Sequence, residues 1–204
     1  MTKNYDVLIV GGGPSGLSAA LMFGSAVSFV PEAEDKTAIV IDAGHSDAKR
    51  AQFFNAPGLK PGLSGDEALE QTRSQLHQYS NLSYQEGKVR NIERLDEGFS
   101  IEYFNSDTKS KEKIKANKII LATGFRSFGI NGLDVEPTNF KKSDNPTRVQ
   151  FEHNNYQIEN DIYVCGLLSG DSSQWPIVTG SGAQVAINII SEWAGAWKVM
   201  HDKV

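Results

Sequence analysis

At 204 residues and 22.3 kDa the chain makes one domain, or one and a fraction, which excludes a pair of full-sized domains. With 39% hydrophobic and 22% charged residues it can bury a core and is not a disordered tail. A net charge of −5 and a pI near 5.4 make nucleic acid a poor partner, because gripping phosphates takes a basic surplus.

Tyr5–Val10 is a short apolar run that stops at three glycines. A small-residue helix is predicted from about Pro14 to Phe23, with Gly24 as its stop. Thr37–Asp42 is a second apolar run, and continuous β-branched runs of this kind suit strands buried on both faces of a parallel sheet. Asp66–Tyr79 is predicted helical, with Leu69, Leu76 and Tyr79 at helical spacing behind the Ser64-Gly65-Asp66 start signal. From Leu82 to Ala116 short alternating segments with charged faces predict a meander of antiparallel strands. Lys118–Thr123 returns to the buried-strand pattern and stops at Gly124. A polar loop follows, then a last buried strand, Asp161–Cys165, and a last helix, Thr179–Met200. The fold class is therefore α/β, a parallel sheet flanked by helices with a small antiparallel β-meander on one side.

The first glycine cluster carries chemistry. Gly11, Gly13 and Gly16 satisfy G-x-G-x-x-G between a strand and a helix, the context that gives this pattern its meaning. One glycine permits the tight turn, one lets the backbone approach a pyrophosphate, and one lets helix pack close to strand. Pro14 and Ser15 open the helix, whose N-terminus supplies N–H groups and partial positive charge. Asp42, 26 residues past Gly16, ends the second strand where an acid accepts hydrogen bonds from a ribose 2′-hydroxyl and disfavours a 2′-phosphate. The alternative for Asp42 is a strand-terminal turn. These features specify a dinucleotide and a Rossmann-like turn, without saying which dinucleotide.

Other groups are read more plainly. A lone cysteine, Cys165, excludes an internal disulfide, and inside a buried strand it reads as a small core residue. The four histidines lack ligand spacing, so no metal is expected. No apolar run approaches the length of a membrane span and no leader-like stretch opens the chain, so no membrane association and a cytoplasmic location are expected. Lys49 and Arg50 either reach a pyrophosphate or are solvated. Trp193 and Trp197, four residues apart in the last helix, pack on the sheet or form an interface. No general base, nucleophile or paired carboxylate stands out as catalytic.

The chain resembles the FAD-binding part of the low-molecular-weight thioredoxin reductase family of pyridine nucleotide-disulfide oxidoreductases. The correspondence runs through GGGPSGLSAA, Asn55-Ala-Pro57-Gly58 with Leu63-Ser-Gly65, Ala122-Thr123-Gly124, and Ile162–Gly166 followed by Gln174 and Thr179-Gly-Ser-Gly-Ala183. The resemblance implies FAD as cofactor, with NAD(P)H as a transient donor. It carries the FAD site onto Gly11, Gly13, Pro14, Ser15, Gly16, Asp42, Ala43, Asn55, Val89, Ala122, Thr123, Gly124, Gly166, Gln174, Thr179, Gly180, Ser181 and Gly182. It also implies that Thr179–Gly182 leaves the first N–H groups of the last helix bare toward the flavin, and that Trp175 stacks on the ring or packs beside it.

Two departures matter. The family inserts an NADPH domain with its Cys-x-x-Cys pair after the ATG segment, but only about 35 residues separate Gly124 from Asp161 here. Residues 1–204 are thus expected to form a single FAD-binding domain, with its meander at about 82–117 and no nicotinamide domain between 124 and 161. Such a chain would not reduce thioredoxin by itself. The family also has Gly-Asp after the last strand, where this chain has Gly166-Leu167, with Asp171 as the nearby substitute. The expected function is a flavoprotein oxidoreductase whose donor docks directly or comes from a redox partner protein, with a homodimer expected. The alternative is a non-catalytic dinucleotide-binding or interaction module.

Overall fold

The computed structural model describes residues 2–199. In chain order the elements are β1 (Asn4–Val10), α1 (Pro14–Ala26), β2 (Ala38–Asp42), β3 (Gln52–Phe53), β4 (Leu63–Ser64), α2 (Gly65–Ser74), β5 (Leu82–Arg94), β6 (Phe99–Asn105) and β7 (Ser110–Leu121). There follow β8 (Thr138–Asn139), β9 (Val149–Gln150), β10 (Gln157–Glu159), β11 (Ile162–Val164) and α3 (Trp175–Trp193).

Seven strands form the main sheet. Its parallel part is β5-β2-β1-β7-β11, with β10 added antiparallel at the edge. The predicted meander is present as β5-β6-β7 and is continuous with the parallel sheet. β5 pairs with β2 through Glu86 and then with β6 from Gly87 onward, while β7 pairs first with β6 and then with β1. Two long strands thus carry the parallel sheet into the antiparallel one, and the end of the expected meander runs into the strand expected from Lys118 as the single strand β7. Gly87 marks the change of partner in β5: a Cβ there would lie 2.7 Å from the Phe104 carbonyl oxygen.

The period of two decides what each strand buries. Val7, Ile9, Val40, Ile120 and Cys165 face α1 and α3, where Leu17, Phe23, Val185 and Ile189 meet them. Leu8, Val10, Ile41, Leu121 and Val164 face the other way, onto Ile92, Phe99, Ile101 and Phe151. One face of the sheet is therefore covered by helices. The other is covered by the chain's own meander and by the connection 125–160, pinned through Phe128 edge-on to Phe151 at 5.0 Å.

All three helices differ in their bounds from the sequence expectation. α1 runs through Gly24 to Ala26, because Gly24 serves packing: a Cβ would fall 2.5 Å from the Tyr79 ring. α2 ends at Ser74 and one 3₁₀ turn continues it to Gln78, with the Ser64–Glu67 capping box fixing its start. α3 begins at Trp175, four residues before the expected Thr179, and ends at Trp193; Met200 lies outside the described residues. Trp193 packs at 5.7 Å from Phe23 under Lys36, whereas Trp197 lies beyond the helix and is 76% exposed.

One buried cation ties α3 to the sheet. Lys118 is 7% exposed and donates to Asp161 and, at 2.7 Å, to Glu192, which also accepts from Tyr163 at 2.8 Å. Burial opposes its charge, yet the hydrogen bonds to Asp161 and Glu192 hold its pKa above the ordinary lysine value. A folded-state pKa raised above the unfolded one stabilises fully below about pH 10.4, and the contribution fades as pH rises through the folded value. The melting temperature of the wild type is therefore expected to fall through strongly alkaline pH more steeply than that of Lys118→Met. At neutral pH that variant loses about 1–2 kcal/mol, discounted for its partly exposed acids. Parallel alkaline slopes would contradict this.

Candidate dinucleotide-binding site

The site begins where β1, β2 and β7 end together. Gly11 donates its N–H to the Ile41 carbonyl at 2.9 Å, and Ala122 donates to the Val10 carbonyl at 2.8 Å. Gly11 has φ +110°, and a Cβ there would lie 2.5 Å from the Ala122 carbonyl oxygen, so only glycine fits. A Cβ on Gly16 would fall 1.9 Å from the Gly11 carbonyl oxygen, which lets α1 start directly on the strand end. Gly13 is the N-cap of α1 and supplies no side-chain cap, Pro14 follows, and no acid stands in the first turn. The helix N-terminus keeps its partial positive charge uncompensated by side chains.

That N-terminus opens into a cleft of about 620 Å³, within the usual range of about 300–1,000 Å³ for small-molecule sites. Gly11, Gly13, Pro14 and Ser15 form its floor. Asp42, Ala43, Ser46, Asp47, Arg50 and Phe53 form one wall; Val89, Ala122, Thr123, Gly124, Arg126 and Phe128 form the other. Leu167, Trp175 and Val178 close the far end, with Phe53 edge-on to Trp175 at 5.1 Å. α3 also starts there without a side-chain cap or an acid in its first turn. Two bare helix N-termini thus meet one cleft.

Ten of the residues predicted for the site line this cleft: Gly11, Gly13, Pro14, Ser15, Asp42, Ala43, Val89, Ala122, Thr123 and Gly124. The others do not, for identifiable reasons. Gly16 is spent on helix–strand packing. Asn55 is exposed in the loop between β3 and β4. Gly166 donates its N–H to Ser181 Oγ at 2.8 Å, and a Cβ on Gly182 would fall 1.9 Å from the Ser15 carbonyl oxygen. Gly166, Ser181 and Gly182 therefore join α3 to α1 and to the strand end.

Gln174 caps the cleft end of α3 but is turned to solvent. Thr179 and Gly180 lie inside the helix, and Thr179 donates back to the Trp175 carbonyl at 2.8 Å. The expectation that Thr179–Gly182 leaves the first N–H groups of the helix bare is corrected, because the helix starts at Trp175. Asp171 does not replace the missing acid either: it accepts from Ser169 at 2.7 Å, and Leu167 is the residue in the cleft.

Of the undecided groups, Trp175 is 8% exposed and lines the cleft, as does Arg50. Lys49 faces a second cavity of about 510 Å³ that shares Asp42, Ala43 and Ser46 with the first. Cys165 is fully buried beside Ser15, and burial pushes its thiol up to about 12, so it is a core residue and not a nucleophile. Sequence reasoning missed Asp47 and Arg126. Arg126 donates from Nε to Asp47 at 3.0 Å and pairs through its second nitrogen at 2.5 Å, joining the two walls.

The family model for pyridine nucleotide-disulphide oxidoreductases matches residues 5–183. The chain belongs to this family. Family members are oxidoreductases with FAD as cofactor and a pyridine nucleotide as electron donor. Ferredoxin–NADP reductase 1 of Bacillus velezensis is 28% identical over 135 residues, covering 64% of this chain and 37% of that protein. A probable thioredoxin reductase of Arthroderma benhamiae is 27% identical over 121 residues, covering 59% and 28%. The chain thus spans well under half the length of these curated relatives. A thioredoxin reductase structure from Gloeobacter violaceus shares the fold with a TM-score of 0.69 at 13% identity, over 100% of this chain and 99% of that one. Among the described residues of this oxidoreductase-family chain, no helix is long and apolar enough to cross a membrane.

Proposed function

We propose that this chain is a FAD-holding oxidoreductase module whose donor docks at the flavin directly or arrives on a redox partner. The observation that carries the reading is the convergence of the glycine cradle and two uncapped helix N-termini on one cleft. The residues suit the parts of FAD. Gly13, Pro14 and Ser15 at the start of α1 suit a pyrophosphate, and Asp42 suits a ribose hydroxyl. The N-terminus of α3 beside Trp175 suits the flavin carbonyl edge, where it would favour negative charge on reduction. When bound, FAD supplies the two-electron chemistry; the chain positions it and keeps water from its buried edge.

With Cys165 the single cysteine and buried, this stretch of chain holds no disulfide of its own to pass electrons through. The residues between Gly124 and Asp161 hold only short strands and loops, and no second glycine turn ahead of a helix. A separate donor follows from that reading. The exposed Trp197 offers a surface for a partner or for a second copy in a homodimer.

The test is to load the protein with FAD and titrate it with NADH and NADPH under anaerobic conditions. Bleaching of the flavin band by either, or by cell extract supplying a protein donor, is expected. Retained FAD that no donor reduces would mean a non-catalytic binding module.

Leu167 adds a second check. Where the resembled family places an acid that reaches the flavin's ribityl chain, this chain puts an apolar side chain into the cleft. Leu167→Asp is expected to tighten FAD about tenfold, the worth of one charge-assisted hydrogen bond. Weaker binding, measured by fluorescence titration, would mean that the far end of the cleft does not hold the ribityl chain.

A further inference from the structure

The carboxylate of Asp42 is held from behind by groups on two other elements. Tyr84 on β5 is in register with Val40 on β2, so its side chain shares a face with Asp42 two residues further on. The Tyr84 hydroxyl donates to Asp42 Oδ2 at 2.8 Å. Arg73 of α2 donates to the Tyr84 oxygen at 3.5 Å, lies 5.4 Å from the centre of its ring, and is itself paired with Glu70. On the other flank Gly12 sits so close that a Cβ would come within 2.8 Å of the carboxylate. Among the described residues Asp42 Oδ1 accepts no hydrogen bond, and Asp42 lines both cavities.

An aspartate carboxylate turns freely about its last bond, and an unheld one spreads its acceptor capacity over solvent. Occupying one oxygen leaves the other aimed, and that preorganisation is repaid as affinity when a donor arrives. Burial, followed by the charge of Asp42, pushes the ionisation of Tyr84 far above physiological pH, so its hydroxyl remains a donor.

We propose that Tyr84 is a positioning residue: by holding Asp42 Oδ2 it presents Oδ1 to a ribose 2′-hydroxyl, and so makes that hydroxyl the feature by which the site selects its dinucleotide. The proposal rests on the reading above, in which the adenosine half of FAD lies against Asp42. A 2′-phosphate would meet the carboxylate's charge instead of a hydrogen bond.

The experiment compares FAD with an analogue lacking the 2′-hydroxyl of its adenosine ribose, by fluorescence titration on the full chain. Wild type is expected to prefer FAD about tenfold, and Asp42→Ala to show no preference. Tyr84→Phe is expected to cut the preference to about threefold or less, while affinity for FMN, which has no adenosine, stays as in wild type. Tyr84→Leu, which removes the hydroxyl with a different side chain, moves the ratio in the same direction and decides the matter if Tyr84→Phe does not fold.

An undiminished ratio in the folded variants, with Asp42→Ala lacking it, overturns the role of Tyr84 and leaves the FAD reading intact. Equal loss of FAD and FMN in Tyr84→Phe also overturns it, as a purely structural effect. A wild type that binds FAD but shows no preference overturns the placement of the ribose and the proposal with it.

Discussion

Gly11→Ala is expected to destabilise the protein by about 4 kcal/mol, adding backbone strain to overpacking. Two independent costs meet at this residue. Its φ of +110° lies outside the region that any L side chain adopts easily, and the added methyl would stand 2.5 Å from the Ala122 carbonyl oxygen. That carbonyl belongs to Ala122, the residue that follows β7 and donates its N–H to Val10, so moving it pulls on the strand beside it. Chemical denaturation of the cofactor-free protein measures the loss directly. A change below about 1 kcal/mol would mean that the three strand ends are not locked together as described.

Gly13→Ala, two residues on, is expected to do the reverse. Gly13 has φ −76° and ψ −177°, an extended conformation open to any residue, and its added methyl would meet only the Ser46 side chain, nearest at Oγ, 3.3 Å away. Folding stability should therefore fall by only about 0.5–1 kcal/mol, the cost of alanine at an N-cap. The methyl would nevertheless stand at the mouth of α1, where the proposed FAD would bring its pyrophosphate to the backbone. Loss of two charge-assisted hydrogen bonds weakens FAD by roughly a hundredfold. Equilibrium titration against a matched melting curve separates the two effects. If both variants lost stability to the same extent and kept whatever affinity remained, the glycines would serve the fold alone.

The contrast between these neighbours shows what was legible in the sequence. Gly11 and Gly16 could be read because a backbone that must approach another strand end or a helix this closely tolerates so few residue types. Gly24, Gly180 and Gly182 misled for the same reason. A glycine that ends a helix and one that lets two elements touch look identical in sequence, and Gly24 and Gly182 are of the second kind. The start of α3 was legible in principle, since proline is favoured in the first turn and Pro176 stands there. The glycines after it drew the boundary four residues too late.

Other features depend on partners far apart in the chain. Asp47 meets Arg126 across 79 positions, and Tyr84 meets Asp42 across 42. Nothing local in either segment announces the meeting, because it follows from strand order and register. The fusion of the meander with the parallel sheet is of the same kind. Only Gly87, at the change of partner in β5, left a trace in the sequence.

The central claim is that the cleft above Gly11–Ser15 holds FAD, and the most direct measurement is the visible absorbance of the purified protein before and after incubation with excess FAD. The account predicts a flavin spectrum that survives desalting, with FAD, and not FMN, released on denaturation. A protein that remains colourless after incubation, while its melting curve shows it folded, would contradict the claim.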